Sequence, residues 1–128
     1  MDYTLSKTVD YSFESSLTKA AEALKAEGFG VLTEIDVQKT LKNKLDVAFE
    51  KYMILGACDP PSAYEALKCE NDVGTMLPCN VVVRELKNGR VKIAAVHPEA
   101  SMMAIENKAL IPILKDVKRK LERVLDRI

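Results

Sequence analysis

Two of the three cysteines stand where predicted strands end or begin, each next to a polar residue and close to a proline. The residues that could do chemistry there are Cys58, Asp59, Pro60, Pro78, Cys79 and Asn80. Thiols in such positions can act as nucleophiles, form a redox pair or bind a soft metal ion. His97, the only histidine, ends a further predicted strand and could serve as a base or a ligand.

These side chains meet only under one arrangement of the strands. If residues 52–58 and 79–86 pair antiparallel, the end of the first strand and the start of the second lie at the same edge of the sheet. A hairpin then returns the end of residues 90–96 to that edge. We therefore expect Cys58, Asp59, Cys79, Asn80 and His97 to cluster, as a binding site for a small molecule or ion.

The chemistry at this edge stays open at the level of sequence. Cys58 precedes a helix N-terminus, which favours the thiolate, whereas the neighbouring Asp59 opposes it by charge. Buried, unreactive thiols are the preferred interpretation for Cys58 and Cys79. No CxxC spacing is present, so no metal site is predicted, and no cofactor is identified.

His97 has a structural interpretation of its own. The Asn88-Gly89 pair predicts a two-residue type I′ turn between residues 80–86 and 90–96. The residue numbers of each cross-strand pair would then add up to 177, so Glu85 would face Lys92 and Asn80 would face His97. A cross-strand hydrogen bond between Asn80 and His97 is favoured over catalysis.

The elements that would position these residues follow from periodicity and capping. Strands are predicted at residues 3–8, 30–35, 52–58, 79–86 and 90–96. Ser12, Asp36 and Asp59 are predicted N-caps, Gly28 a helix terminator, and Pro112 predicts a break near residues 108–110 before a long C-terminal helix. Asn107 interrupts the helical segment that Pro98 begins. Residues 71–76 are a loop or a further helical turn.

This order predicts one α+β domain over residues 1–128. We expect a mostly antiparallel sheet of about five strands, with helices packed on one face; one parallel pair is left open. The strand at residues 52–58 is apolar on both faces, which is typical of a central strand or a subunit interface. A short helix carries Val37, Leu41 and Leu45 on one stripe, and its lysines form a solvated face.

Composition excludes several classes of function. The 128 residues carry 19 basic and 19 acidic side chains, so no net field favours nucleic acid or an anionic membrane. There is no apolar run of membrane-spanning length and no signal-peptide pattern at the start. We expect a cytoplasmic protein with free thiols. Phosphate-binding loops, HExxH and nucleophile-elbow motifs are absent from the sequence.

Three stretches together resemble a known family. GFGVLTEIDVQKTLKNKL, ILGACDPPSAYEAL and TMLPCNVVVRE, followed by the hairpin, are similar to the family called domain of unknown function 302. The resemblance covers nearly the whole chain. It implies a small α+β domain of βαββαββα-like outline, typically homodimeric in bacteria and archaea, without an established activity or catalytic set.

The match to that family is uneven at the predicted edge. Cys58, Pro60, Pro78, Cys79 and Asn80 agree with the family pattern. Asp59 stands where the family usually has Asn, and His97 stands where it usually has Asp. The leading hypothesis is a homodimer that binds a small molecule or ion at the Cys58–Cys79 edge. The alternatives are a thiol-based redox or sulfur-transfer enzyme and a structural or partner-binding module.

Overall fold

A computed structural model describes residues 2–128 and contains one five-stranded sheet. The strands are β1 (Thr4–Val9), β2 (Gly30–Asp36), β3 (Tyr52–Cys58), β4 (Cys79–Glu85) and β5 (Val91–Val96). Their order is β1-β5-β4-β3-β2, and all four pairings are antiparallel. The predicted α+β class is confirmed, and the parallel pair that the sequence left open does not occur among these strands.

Within residues 2–128, five α-helices and two short 3₁₀ segments lie between the strands or follow β5. The helices are α1 (Phe13–Ala26), α2 (Val37–Leu45), α3 (Pro60–Cys69), α4 (Pro98–Ser101) and α5 (Ile111–Asp126). The 3₁₀ segments are Asn71–Met76, where the sequence left a loop or a helical turn open, and Lys108–Leu110. The second segment confirms the break predicted from Pro112. Helix α4 is shorter than the predicted segment and ends before Met102. No helix in residues 2–128 has the length and apolarity to cross a bilayer.

Local capping explains where α1 begins and ends. The Ser12 hydroxyl accepts a hydrogen bond from the Ser15 N–H at 3.1 Å. Gly28 follows the helix with a φ of 89°, and the Phe29 N–H donates to the Leu24 carbonyl at 2.9 Å. This is the Schellman arrangement, which needs a left-handed residue that glycine adopts without strain.

The hairpin between β4 and β5 corrects the predicted register. Leu86 N–H donates to Arg90 C=O at 2.7 Å, and Gly89 N–H donates to Leu86 C=O at 2.9 Å. The loop therefore has three residues and ends on Gly89 with a φ of 83°, which is the type I turn with a G1 bulge. Arg84, and not Glu85, lies opposite Lys92.

The core lies between one face of the sheet and the helices α1 and α5. It is built from alternate strand residues and from the apolar stripes of both helices, among them Leu24, Phe29, Leu55, Val81, Val83, Ile93, Leu121 and Val124. The opposite face of the sheet carries Asn80, Val82 and Arg84 of β4 and is called the open face below. Its side chains are half-buried or exposed.

Candidate functional site

The ends of β3 and β4 lie at one rim of the sheet, as the sequence predicted. Ala57 is the register partner of Cys79, so Cys58 lies one residue beyond that pair. The two cysteines, together with Asp59 and Pro78, line a single cavity between this rim and the helices α3 and α5. The predicted meeting of Cys58 and Cys79 at one edge of the sheet is confirmed.

The cavity is small and almost wholly apolar. Its volume is about 40 Å³. The remaining walls come from β3, α3, α5 and the segments around α4 and just before β2 and β4. They include Phe29, Ala57, Ala63, Ala66, Leu77, Pro98, Met102, Ile113, Leu114 and Val117. Apart from the thiols, the polar side chains at this wall are those of Asp59 and Ser62.

Asp59 is a buried carboxylate with two strong partners. Its side chain is 6% exposed. Asp59 Oδ2 accepts hydrogen bonds from Ser62 Oγ and Lys120 Nζ, both at 2.7 Å. Asp59 occupies the predicted N-cap position of α3, but its carboxylate accepts no backbone N–H of that helix. The partner that compensates its charge is therefore an ammonium from α5.

Lys120 is held by two carboxylates. Its Nζ lies 2.7 Å from Asp59 and 3.3 Å from Asp116, and its side chain is 24% exposed. The hydrogen bond to Asp59 is the main cause of the raised pKa of Lys120. Removing either partner would leave the other charge buried without its counter-charge, which is costly.

The two cavity thiols stay protonated at neutral pH. Burial, followed by the neighbouring Cys58 and Asp59, raises the pKa of Cys79 from 9.0 to about 11. Burial, followed by the charge of Asp59, also raises the pKa of Cys58. The position of Cys58 before a helix N-terminus is thus outweighed, and neither thiol is activated as a nucleophile.

His97 and Asn80 lie away from this cavity. Because the register differs from the prediction, Asn80 does not face His97, and the predicted hydrogen bond between them is wrong. The buried His97 instead accepts a hydrogen bond at Nδ1 from the Ala100 N–H, at 3.3 Å, and caps α4. Asn80 is exposed and lines a different cavity on the open face. Pro60 occupies the first turn of α3 and is also exposed.

The remaining candidate groups do not assemble a metal centre. Within residues 2–128, no three His, Cys, Asp or Glu side chains lie close enough to hold one ion. Cys69 lies outside the rim cavity, where its thiol donates a 3.4 Å hydrogen bond to the Ala66 carbonyl.

A comparison with protein families matches residues 5–128 to the family described as Domain of unknown function DUF302. The chain belongs to the DUF302 family. The crystal structure of an uncharacterized conserved DUF302 protein from Bacillus stearothermophilus has a TM-score of 0.92 and 31% sequence identity to this chain. The match covers 99% of this chain and 98% of that one. No curated protein matches significantly. DUF302 membership defines the fold and leaves the function to be argued from the site.

Sequence reasoning missed both side-chain partners of the Asp59 carboxylate. One of them is Lys120 of α5. Its position three residues after Val117 and next to Leu121, both buried, places it at the border of the apolar stripe. The other is Ser62, which lies three residues after Asp59. The local signal for this contact is the Asp-x-x-Ser spacing at the start of a helix.

Proposed function

We propose that this protein is a cytoplasmic homodimer that binds a small, largely apolar molecule in the rim cavity. The observation that carries the proposal is the buried Asp59 carboxylate in an almost wholly apolar wall. Both side-chain hydrogen bonds that Asp59 accepts go to Oδ2. Among residues 2–128 none goes to Oδ1, so this oxygen is free to accept a ligand N–H or O–H.

The size of the cavity limits the ligand. A volume of about 40 Å³ has room for roughly three water molecules, since each needs about 10–15 Å³ of this kind of volume. The ligand is therefore a compact molecule of a few heavy atoms, or the end of a larger one. Its chemistry is an apolar body with one amine or hydroxyl donor, because a second negative charge beside Asp59 would be repelled.

The test uses three probes with the same branched body: isobutylamine, isobutanol and isovalerate. We expect the amine to bind most tightly and isovalerate not to bind, as measured by ligand-observed NMR. Ala63→Leu fills the cavity and should abolish binding, whereas Ala26→Leu, on the exposed side of α1, is the matched control. Equal binding of isovalerate, or unchanged binding to the Ala63→Leu protein, would contradict the proposal.

Binding is proposed in preference to thiol catalysis. An enzyme that uses Cys58 or Cys79 as a nucleophile needs a thiolate near neutral pH, and both pKa values are raised. The three unpaired cysteines support a reducing compartment. The balance of 19 basic and 19 acidic residues supports a small-molecule ligand in preference to nucleic acid or a membrane surface.

The homodimer is proposed from the surface of α2. This helix has an apolar stripe of Val37, Leu41 and Leu45, yet none of its residues is buried, and Leu45 is 65% exposed. A stripe of this kind is normally covered. A second copy fits it, because antiparallel α2 helices place Asp36 at one N-terminus beside Lys44 at the other C-terminus.

Size-exclusion chromatography with light scattering tests this contact. We expect the native protein to be a dimer at micromolar concentration and the Leu41→Glu protein to be a monomer. The introduced glutamate charge would lie within the apolar stripe that the dimer buries. Met103→Glu places the same charge on another exposed apolar residue and should leave the dimer intact. A monomeric native protein, or a dimeric Leu41→Glu protein, rules the contact out.

A further inference from the structure

The open face of the sheet places two cations side by side. Arg84 of β4 and Lys92 of β5 are directly opposite in the register. Like charges at directly opposed positions of an antiparallel pair repel each other and destabilise the sheet. Their presence on adjacent strands therefore calls for a negative group nearby.

The protein itself supplies only part of that negative charge. Glu50 lies 3.8 Å from Arg84, whose side chain is 32% exposed. Within residues 2–128, no carboxylate lies within 4.0 Å of the Lys92 ammonium. In the described part of the chain, the Lys92 charge therefore has no carboxylate to compensate it.

A groove of about 280 Å³ runs along the open face beside these cations. Tyr52 is the register partner of Arg84 and lies at the same end as the cations. Val82 and Ala94 form the apolar floor, and Asn80 lies beyond them on β4. Asn80 is four residues from Arg84, about 14 Å at the strand repeat of about 3.4 Å per residue.

We propose that this groove is a second binding site, for an elongated organic anion. A carboxylate or phosphate of the ligand lies between Arg84 and Lys92, where the guanidinium can bind it with two hydrogen bonds. An apolar or aromatic body extends over Val82 and Ala94, with Tyr52 at its side. This site is separate from the rim cavity. It is proposed to bind an anion, whereas the rim cavity is proposed to bind an amine or hydroxyl donor.

The experiment compares 4-phenylbutyrate, phenyl phosphate and neutral 4-phenylbutanamide by isothermal titration calorimetry. We expect at least one anion to bind and the amide to bind at least about tenfold more weakly, because the amide lacks the charge. A preference between the anions distinguishes a carboxylate ligand from a phosphate ligand. Equal affinity of the amide, or no binding of either anion, overturns the proposal.

Charge-removing variants locate the site. Lys92→Gln and Arg84→Gln should each weaken anion binding at least about tenfold, whereas Lys87→Gln, in the exposed hairpin loop, should not. Without probe, Lys92→Gln should be at least as resistant to urea as the native protein, since a repulsion is removed. Unchanged binding, a less stable Lys92→Gln protein, or a change in subunit number would show that the cations serve another role.

Discussion

The Cys79 thiol should resist deprotonation in the folded protein. Its pKa of about 11, against an ordinary value of 9.0, lowers the thiolate fraction below about pH 9 by about 100-fold. Alkylation requires the thiolate, so native Cys79 should react at least about 100-fold more slowly than in the unfolded chain. Burial is the main cause, because the cavity wall offers the thiolate little solvation.

The assay uses a variant that retains only Cys79, with Cys58→Ser and Cys69→Ser. Its reaction with iodoacetamide is followed by mass spectrometry from about pH 7 to about pH 11.5, in buffer and in denaturing urea. Burial is the main cause of the shift, so the folded midpoint should stay well above 9.0, although below about 11 because Cys58→Ser removes the contribution of that thiol. The unfolded midpoint should lie near the ordinary cysteine value. Restricted access alone would slow the reaction without moving the midpoint, so a folded midpoint below pH 9 would falsify the reasoning.

The same shift links stability to pH. The folded pKa of Cys79 lies above its unfolded value, so its contribution is complete below about pH 9 and is lost as pH rises towards about 11. The rise in the pKa of Cys79 from 9.0 to about 11 corresponds to about 3 kcal/mol in the free energy of unfolding. Lys120 acts in the same direction, since its pKa is raised as well. Urea unfolding of Cys79→Ala isolates the thiol, because this variant should lose only the Cys79 part of the alkaline decline.

Three substitutions test packing and charge compensation in the core and at the rim, each by urea denaturation. Gly56→Ala should cost about 1–3 kcal/mol, because the added Cβ would overlap Thr33 Oγ1 and come within 2.9 Å of the Pro78 ring; a neutral result would show that the rim relaxes freely. Ser16→Ala should stabilise by about 1 kcal/mol, since the buried Ser16 hydroxyl has no partner among residues 2–128, and a loss would mean that the hydroxyl is satisfied. Lys120→Met should cost about 3 kcal/mol by leaving the Asp59 carboxylate buried without its cation. Adding Asp59→Asn should restore most of that loss, and a double variant as unstable as Lys120→Met would refute the ion-pair argument.

Local signals in the sequence were sufficient for most element boundaries. The predicted N-caps Ser12 and Asp36 accept backbone hydrogen bonds three residues ahead, which is a contact within one helical turn. The strand at Tyr52–Cys58 was predicted to the residue. These features depend on neighbours close in the chain, so the pattern of residue types determines them.

Register was less predictable, because it depends on turn geometry that one dipeptide does not define. Asn88-Gly89 is compatible with a two-residue turn and with the three-residue loop that forms. The shift of one position moved Asn80 away from His97 and brought Arg84 opposite Lys92. The predicted Asn80–His97 contact is lost and the Arg84–Lys92 pair appears because the loop is one residue longer than predicted.

The sequence by itself determined the fold class, the caps and the meeting of Cys58 with Cys79 at one rim, because alternation, turn residues and antiparallel pairing act over short distances. Only the tertiary structure decided what the rim is like chemically. Asp59 finds its cation 61 residues away on α5, and the pKa of Cys79 is raised by helices that cover it. Burial and charge compensation are sums over groups distant in the chain, so they exist only once the helices have packed on the sheet.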